Sequence, residues 1–184
     1  MKKLIVISGS SGVGKGTIIK NFLQKHPDFK LSVSCTTRKK REGEIDGVNY
    51  YYLSKEEFMK AVNNDEFLEW TEFSDNYYGT NKTFVQKCLD NNERLILEID
   101  VKGAINVKEK IKNSVLIFIL PPSFEELERR LRGRKTETEE SIRKRLSIVK
   151  SEIQKSKLFD YTVTNNTVEK SVEEIEQIIK DEQI

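Results

Sequence analysis

A glycine-rich stretch near the N-terminus has the residue types and spacing of a phosphate-binding loop. Residues 9–17 read GSSGVGKGT and directly follow the apolar run LIVIS. Glycines let backbone N–H groups approach phosphate oxygens, and Lys15 can bridge the terminal phosphates of a nucleotide where the next helix begins. An ordinary glycine turn is the alternative, but strand, loop, lysine and helix occur in register. This register favours a nucleoside triphosphate site.

The position after Lys15 bears on metal binding. Gly16 stands where a hydroxyl side chain normally contacts Mg²⁺, and Thr17 is turned about 100° further around the helix. Mg²⁺ commonly keeps several waters and binds through substrate phosphates plus one or two carboxylates. Asp100, which ends the run LILEID, offers a carboxylate at the ligand-binding edge of a parallel sheet, with Glu98 one pleat earlier on the same face. We therefore predict a substrate-held, hydrated Mg²⁺ with Asp100 in its outer shell; a solvated loop acid is the alternative.

Short apolar runs separated by helical patterns predict the scaffold for this loop. The runs lie at residues 4–8, 95–99, 115–120 and 161–164, and unbroken apolar character is typical of strands covered on both faces. Helices are expected from Lys15 to His26, from Ser123, over residues 139–158, and from Ser171; both serines precede a glutamate at capping-box spacing. This alternation predicts a doubly wound α/β core with helices on both faces of a parallel sheet.

Residues 32–84 break the alternation. The segments VNYYYL (48–53) and EFLEWTEF (66–73) alternate and are rich in aromatic residues, as antiparallel strands with one solvent face are. A short helix is expected between them, beginning at Ser54 with Glu57 as its capping partner. We interpret this region as a small α+β lobe inserted into the core, and the charged segment 132–138 as a second insertion.

Composition limits the class of protein. The chain has 184 residues with 36% hydrophobic content, which fits a single domain carrying small inserted lobes. Its 32 basic and 30 acidic residues leave a net charge of +2, so no general affinity for nucleic acid or membranes is expected. The two cysteines have no metal-site spacing, and no apolar run approaches a membrane span or a signal peptide. We expect a cytoplasmic protein whose oligomeric state is open.

Five blocks together resemble the guanylate kinase family over about residues 4–180. They read GSSGVGKGT, SVSCTTRKKREGEIDGVNYY, FLEWTEFSDNYYGT, LEIDVKGA and LERRLRGRKTETEESIRKRL, in this order and spacing. The resemblance implies transfer of the ATP γ-phosphoryl group to GMP, with dGMP as an expected second acceptor. It also implies a core, a GMP-binding lobe at about 32–84 and a lid at about 130–140. The glycine at position 16 fits, because G-K-G-T occurs throughout the nucleoside monophosphate kinases.

The second block offers a site for the acceptor phosphate. Arg38 and Arg41 lie three residues apart in a polar stretch and can clamp a phosphate dianion by forked hydrogen bonds. A solvated basic run, or a nucleic-acid or localisation patch, is the alternative. The Glu69 carboxylate can accept from guanine N1–H and N2–H₂ while the Thr80 hydroxyl faces O6, and the family assigns both positions to base recognition. By resemblance, the GMP-binding residues are Ser34, Arg38, Arg41, Tyr50, Glu69, Tyr78, Gly79, Thr80 and Asp100.

The resemblance also names residues for ATP and for catalysis. Phosphoryl transfer mainly needs positioning and positive charge, and the attacking GMP phosphate is already anionic, so no general base is required. Lys15, Arg134 and Arg145 are the predicted catalytic residues. Asn165, after the last strand, is expected to border the adenine. The predicted ATP-binding residues are Gly9, Ser10, Ser11, Gly12, Val13, Gly14, Lys15, Gly16, Thr17, Arg134 and Asn165.

Two other classes of protein share parts of this pattern. Guanylate-kinase-like folds also serve as non-catalytic modules that hold a phosphopeptide in the GMP lobe. Such modules usually lack a competent phosphate loop and are attached to other interaction domains, whereas Gly9, Gly14 and Lys15 are present here. A regulatory GTPase would carry an N-K-x-D motif after a core strand, and TNNT at 164–167 does not match it. The sequence therefore favours the enzyme, with ATP and GMP as its partners.

Overall fold

The computed structural model describes residues 4–133 and 139–184. Its strands are β1 (Leu4–Gly9), β2 (Phe29–Leu31), β3 (Cys35–Thr36), β4 (Tyr51–Tyr52), β5 (Phe67–Phe73), β6 (Asn76–Asn81), β7 (Arg94–Glu98), β8 (Val115–Leu120) and β9 (Tyr161–Thr164). Its helices are α1 (Lys15–Lys25), α2 (Lys55–Asn63), α3 (Lys82–Asp90), α4 (Val101–Lys110), α5 (Phe124–Arg132), α6 (Glu139–Lys155) and α7 (Val168–Asp181). A 3₁₀ turn, Ser156–Leu158, follows α6.

The predicted core is a parallel sheet covered on both faces. Within the described residues its five strands run in the order β2-β7-β1-β8-β9, and every pair is parallel. Side chains alternate along β1: Ile5 and Ile7 pack with α1 and α7, whereas Leu4 and Val6 pack with α3 and α4. Burial on both faces explains the unbroken apolar runs. The three-residue edge strand β2 was not predicted, because its alternation is too short to read.

A four-stranded sheet lies between β2 and β7 along the chain, within the range predicted for the inserted lobe. Its order is β4-β3-β6-β5, with β5 and β6 antiparallel and β3 and β4 parallel. Helix α2 begins with the predicted capping box of Ser54 and Glu57. The predicted strand at 48–53 is wrong in its extent, since only Tyr51–Tyr52 is a strand. A tight turn precedes it, where the Gly47 N–H donates to the Tyr50 carbonyl.

Two helix boundaries near the C-terminus refine the predictions. Helix α7 begins at Val168 with Thr167 as its N-cap, so the predicted capping box from Ser171 is wrong. Ser171 is buried in the first turn, and its hydroxyl contacts the Asn165 side chain instead. At α5, Ser123 Oγ accepts from the Glu126 N–H as predicted. The lid prediction at 132–138 falls largely on residues 134–138, outside the described residues. In the part of the chain that is described, no helix is long and apolar enough to cross a membrane.

Candidate active site

The loop between β1 and α1 has the backbone shape that its glycines predict. Gly9, Gly12 and Gly14 all have positive φ, a region that other residues rarely adopt. Gly14 is also tightly enclosed, because an added β-carbon would lie 2.7 Å from Asn165 Nδ2. Helix α1 begins at Lys15, so its N-terminal N–H groups point into the loop. This arrangement forms an anion-binding cradle.

Lys15 lies back over this loop. Its Nζ donates to the Gly9 carbonyl at 2.5 Å and contacts the Ser10 carbonyl at 3.3 Å. The positive charge of Lys15 interacts with two carboxyl groups, those of Glu98 at the end of β7 and Glu152 on α6. Burial raises the pKa of both carboxyls, and the Lys15 ammonium partly offsets that rise. The lysine is therefore placed to meet phosphate charge at the mouth of the loop.

One cavity of about 530 Å³ joins the loop to the four-stranded sheet. Residues from both predicted nucleotide sites line it, together with Glu98, Ile99, Thr71, Phe73 and Glu152, which sequence reasoning left unassigned. The predicted residues that line it are Gly9, Ser11, Gly12, Gly14, Lys15, Gly16, Thr17, Ser34, Tyr50, Glu69, Tyr78, Gly79 and Asp100. The fold thus brings residues of the predicted donor and acceptor sites into the lining of one cavity.

Glu69 is a buried acid in the lining of this cavity. It is 5% exposed, and its Oε1 accepts a hydrogen bond of 2.6 Å from Thr80 Oγ1, directly opposite on β6. Burial, reinforced by the negative charge of Asp100, raises the pKa of Glu69 to about 7, although the Thr80 hydroxyl opposes the shift. A hydroxyl has one proton, so Thr80 cannot donate to a ligand while it donates to Glu69. Thr80 therefore positions Glu69, and its predicted contact with guanine O6 stays a prediction.

Asp100 is not a strand residue, because β7 ends at Glu98 and Asp100 is the N-cap of α4. Its Oδ1 accepts from the Gly103 N–H at 2.7 Å and its Oδ2 accepts from Thr71 Oγ1 at 2.5 Å. Glu98 instead lies beside the loop, where a β-carbon on Gly16 would be 3.8 Å from Glu98 Oε1. Of these two acids, Glu98 is thus the one that faces the phosphate loop.

The arginines predicted for the acceptor phosphate lie beyond the cavity lining. Arg38 Nη2 donates to Glu44 Oε1 at 2.7 Å, and its guanidinium lies 5.4 Å from the centre of the Tyr50 ring. The bond from Arg38 lowers the pKa of Glu44 to about 2, so this carboxylate stays ionised. Arg41 is exposed, and its backbone N–H donates to Glu44. Glu44, which sequence reasoning missed, therefore holds the Arg38 side chain and the Arg41 backbone.

Ser34, Tyr50 and Tyr78 surround the same end of the cavity. The two tyrosine rings meet edge to face with centres 6.1 Å apart. Burial raises the pKa of Tyr50 to about 12, so its hydroxyl remains a hydrogen-bond donor at neutral pH. The neighbouring Cys35 is buried, and burial raises the pKa of its thiol to about 11, which makes it unreactive.

The Asn165 side chain contacts the backbone of the loop between β1 and α1. Its side chain is 4% exposed, and Nδ2 donates to the Val13 carbonyl at 2.6 Å. The Ser171 hydroxyl lies 3.3 Å from the other end of the amide. The structure thus assigns the Asn165 amide to the loop backbone, and its predicted place beside adenine stays a prediction. Arg134 and the side chain of Arg145 lie outside the described residues.

The chain is similar to known guanylate kinases over nearly its whole length. The guanylate kinase family model matches residues 1–182. A guanylate kinase of Caldanaerobacter subterraneus is 51% identical over 96% of this chain and 85% of its own length. One from Prochlorococcus marinus is 49% identical over 98% of both chains. The crystal structure of guanylate kinase from Anaplasma phagocytophilum superposes with a TM-score of 0.83 at 32% identity, over 98% of this chain and 86% of that one.

Proposed function

The chain belongs to the guanylate kinase family, and we propose that it transfers the γ-phosphoryl group of ATP to GMP, giving ADP and GDP. The observation that carries this proposal is the shared cavity, which Lys15, Glu69 and Tyr78 all line. Direct transfer requires the donor and acceptor phosphates to meet in line within one enclosed space. A cavity lined by residues of both predicted half-sites supports the proposal.

The loop and Lys15 act on the donor. Backbone N–H groups of residues 9–17 would bind the ATP phosphates, and Lys15 would carry positive charge to the transferring group. Charge spreads over the equatorial oxygens during transfer, so a preorganised cation stabilises the transition state more than the ground state. By resemblance, Arg134 and Arg145 add further positive charge; these two roles stay proposals.

The acceptor is held at two ends. Arg38, whose side chain Glu44 holds, and Arg41 would bind the GMP phosphate with the hydroxyl groups of Ser34, Tyr50 and Tyr78. At the other end, the ionised Glu69 carboxylate would accept from the N1–H and N2–H₂ groups of guanine. Because the GMP phosphate is already anionic, the chain needs no base to activate it.

The residues around the loop fit a Mg²⁺ ion that arrives with ATP. Oxygen ligands suit Mg²⁺, and the Glu98 carboxylate lies beside Gly16, where no side chain intervenes. Asp100 was the predicted outer-shell acid; its two oxygens already accept hydrogen bonds from Gly103 and Thr71. We therefore propose Glu98 as the carboxylate nearer to the metal, holding it through water. Bound Mg²⁺ would neutralise phosphate charge.

Compartment and domain limits remain predictions. The two cysteines, Cys35 and Cys88, are buried and not joined in a disulfide, which fits the cytoplasmic location proposed from composition. We likewise propose a single domain in which residues 32–84 form the GMP lobe and about 130–140 the lid.

Substitution of Lys15 tests the proposal. Lys15→Ala should lower kcat for GMP-dependent ADP formation by about 10²–10³, because removal of one preorganised donor typically costs that much. The thermal unfolding midpoint should change little. Lys20→Ala, an exposed position on the same helix, is the matched control and should behave as wild type. Near-normal turnover of Lys15→Ala would contradict the assignment.

A further inference from the structure

Gly103 is an unexpected residue for its place in the fold. It is buried in the first turn of α4, between Val101 and Ala104 of the core. Its φ is not in the left-handed region, so the backbone does not require glycine there. Glycine also lowers helix stability relative to alanine. Something other than helix formation must therefore explain the missing side chain.

Two carboxylates occupy the space that a side chain would need. A β-carbon on Gly103 would lie 2.5 Å from Glu69 Oε2, 3.1 Å from Glu69 Cδ and 3.3 Å from Asp100 Oδ1. The Gly103 N–H also donates to that same Asp100 oxygen at 2.7 Å. Gly103 thus contacts both acids of the GMP half of the cavity.

Helix α4 is fastened to β5 on both sides of this contact. At its N-terminus Asp100 accepts a hydrogen bond from Thr71, and at its C-terminus the Lys110 ammonium donates to the Leu68 carbonyl. Glu69 lies between Leu68 and Thr71 on the strand. A helix held at both ends cannot easily move away from Glu69. An added methyl group would therefore displace the end of the Glu69 side chain.

We propose that Gly103 is a positioning residue for guanine specificity: it leaves the space in which the Glu69 carboxylate is held, and its N–H fixes Asp100 beside it. This inference rests on the proposed function, because it assumes that Glu69 accepts hydrogen bonds from guanine. Glu69 is 5% exposed and lines the cavity, and its Oε2 lies on the side of α4. A methyl group on Gly103 would therefore push the carboxylate away from α4 and change its position in the cavity lining.

The size of the expected effect follows from the distances. A contact of 2.5 Å is about 1 Å shorter than an ordinary van der Waals contact. Misplacement of a substrate-binding group by about 1 Å can cost about 10²-fold in rate. Gly103→Ala should therefore lower kcat/KM for GMP by about a hundredfold while leaving KM for ATP unchanged. The GMP/AMP ratio should fall in parallel, because AMP has no donors for Glu69.

The experiment is a double-mutant cycle with kcat/KM and thermal unfolding measured for each protein. In a Glu69→Ala background no carboxylate remains to be displaced, so Gly103→Ala should change kcat/KM for GMP by less than about twofold. Lys102→Ala, exposed on the same turn, should match wild type. The unfolding midpoint of Gly103→Ala should not fall, since alanine favours the helix.

The outcomes separate the two proposals. A wild-type protein without GMP-dependent activity overturns the proposed function itself. An active wild type with a Gly103→Ala variant that keeps its GMP efficiency overturns only the role of Gly103. Equal losses from Gly103→Ala in the wild-type and Glu69→Ala backgrounds would also overturn it, because the effect would not pass through Glu69. A Gly103→Ala protein that fails to fold would overturn it as well, since the proposal requires the Glu69 carboxylate to move while the rest of the fold stays intact.

Discussion

Thr80 Oγ1 lies 2.6 Å from Glu69 Oε1, and the two residues are buried at directly opposite positions on β5 and β6. A cross-strand hydroxyl thus fixes one oxygen of the carboxylate while the other lies against Gly103 of α4, and the residue lines the cavity. A carboxylate held in this way can accept from two adjacent donors on one ligand edge. Guanine presents such an edge, and adenine does not.

Glu69→Gln tests this arrangement. An amide can accept on only one side, so one guanine donor would lose its partner, and a buried unsatisfied polar group costs about 1–3 kcal/mol. We expect kcat/KM for GMP to fall by about tenfold or more, with little change in KM for ATP. The GMP/AMP ratio should collapse. If Glu69→Gln keeps the full preference for GMP over AMP, residues other than Glu69 must recognise guanine.

The pH dependence of GMP binding follows from the pKa of Glu69, which burial raises to about 7. Guanine needs the ionised carboxylate, so below this pKa a proton must leave as GMP binds. Affinity should therefore decline as the pH falls below 7, approaching tenfold per unit, and level off above about 8. Calorimetry in buffers of different ionisation enthalpy would show proton release near pH 7.

The GMP phosphate titrates in the same range, with a second pKa of about 6, so this experiment needs a control. Glu69→Gln keeps the phosphate titration and loses the carboxyl one. Proton release near pH 7 should fall in the variant to the smaller amount that the phosphate supplies. Equal release by both proteins would show that the phosphate alone accounts for it.

The loop, the core strands and the capped helix α2 were predictable because each is encoded locally. An apolar run, a glycine spacing or a serine with its glutamate can be read within a few residues. Strand β2 was missed and the extent of β4 was predicted too long, because strands of two or three residues are too short to show a clear alternation of apolar and polar residues. Ser171 was misread as a cap because α7 begins one turn earlier, at the N-cap Thr167, and the Ser171 hydroxyl lies 3.0 Å from the Thr167 carbonyl and 3.3 Å from Asn165 Oδ1.

The positions of the two acids of LILEID show a different limit. Alternation places Glu98 and Asp100 on one face, but the strand ends at Glu98 and the backbone turns into α4. Asp100 therefore contacts Thr71 and Gly103, and Glu98 faces Gly16. The Asp100–Thr71 contact joins residues 29 positions apart, and Gly103 lies against Glu69 of a distant strand, so neither Thr71 nor Gly103 could be assigned these roles from the chain alone.

Asn165→Ala tests the support of the phosphate loop. Removal of the amide leaves the Val13 carbonyl without its 2.6 Å hydrogen bond in a buried site. The free energy of unfolding should fall by about 1–3 kcal/mol, and KM for ATP should rise because the loop loses its fixed shape. Asn166→Ala is the matched control: this neighbour is exposed and should change stability by less than about 0.5 kcal/mol. Equal effects at both positions would argue against a specific role for Asn165.

Metal dependence separates the two acids at the loop. Glu98→Gln should raise the Mg²⁺ concentration needed for half-maximal rate by about 10–100-fold, because outer-shell ligands typically contribute that much.

Asp100→Asn should act mainly on KM for GMP, since Asp100 lies beside Glu69. Gly16→Ser should remain active, because the proposed metal does not depend on a side chain there. A large gain in activity from Gly16→Ser would mean that the missing hydroxyl is a defect.

Parallel assays of ADP release from ATP and Mg²⁺ with GMP, dGMP, AMP, UMP and CMP test the central claim most directly. The buried Glu69 carboxylate should support GMP and reject AMP, and sites built around such hydrogen bonds discriminate by about 10⁴–10⁵ in kcat/KM. The account predicts rapid ADP release with GMP and almost none with AMP, UMP or CMP. Comparable rates with GMP and AMP, or no activity with any acceptor, would contradict it, and the second result would instead favour a phosphopeptide-binding module.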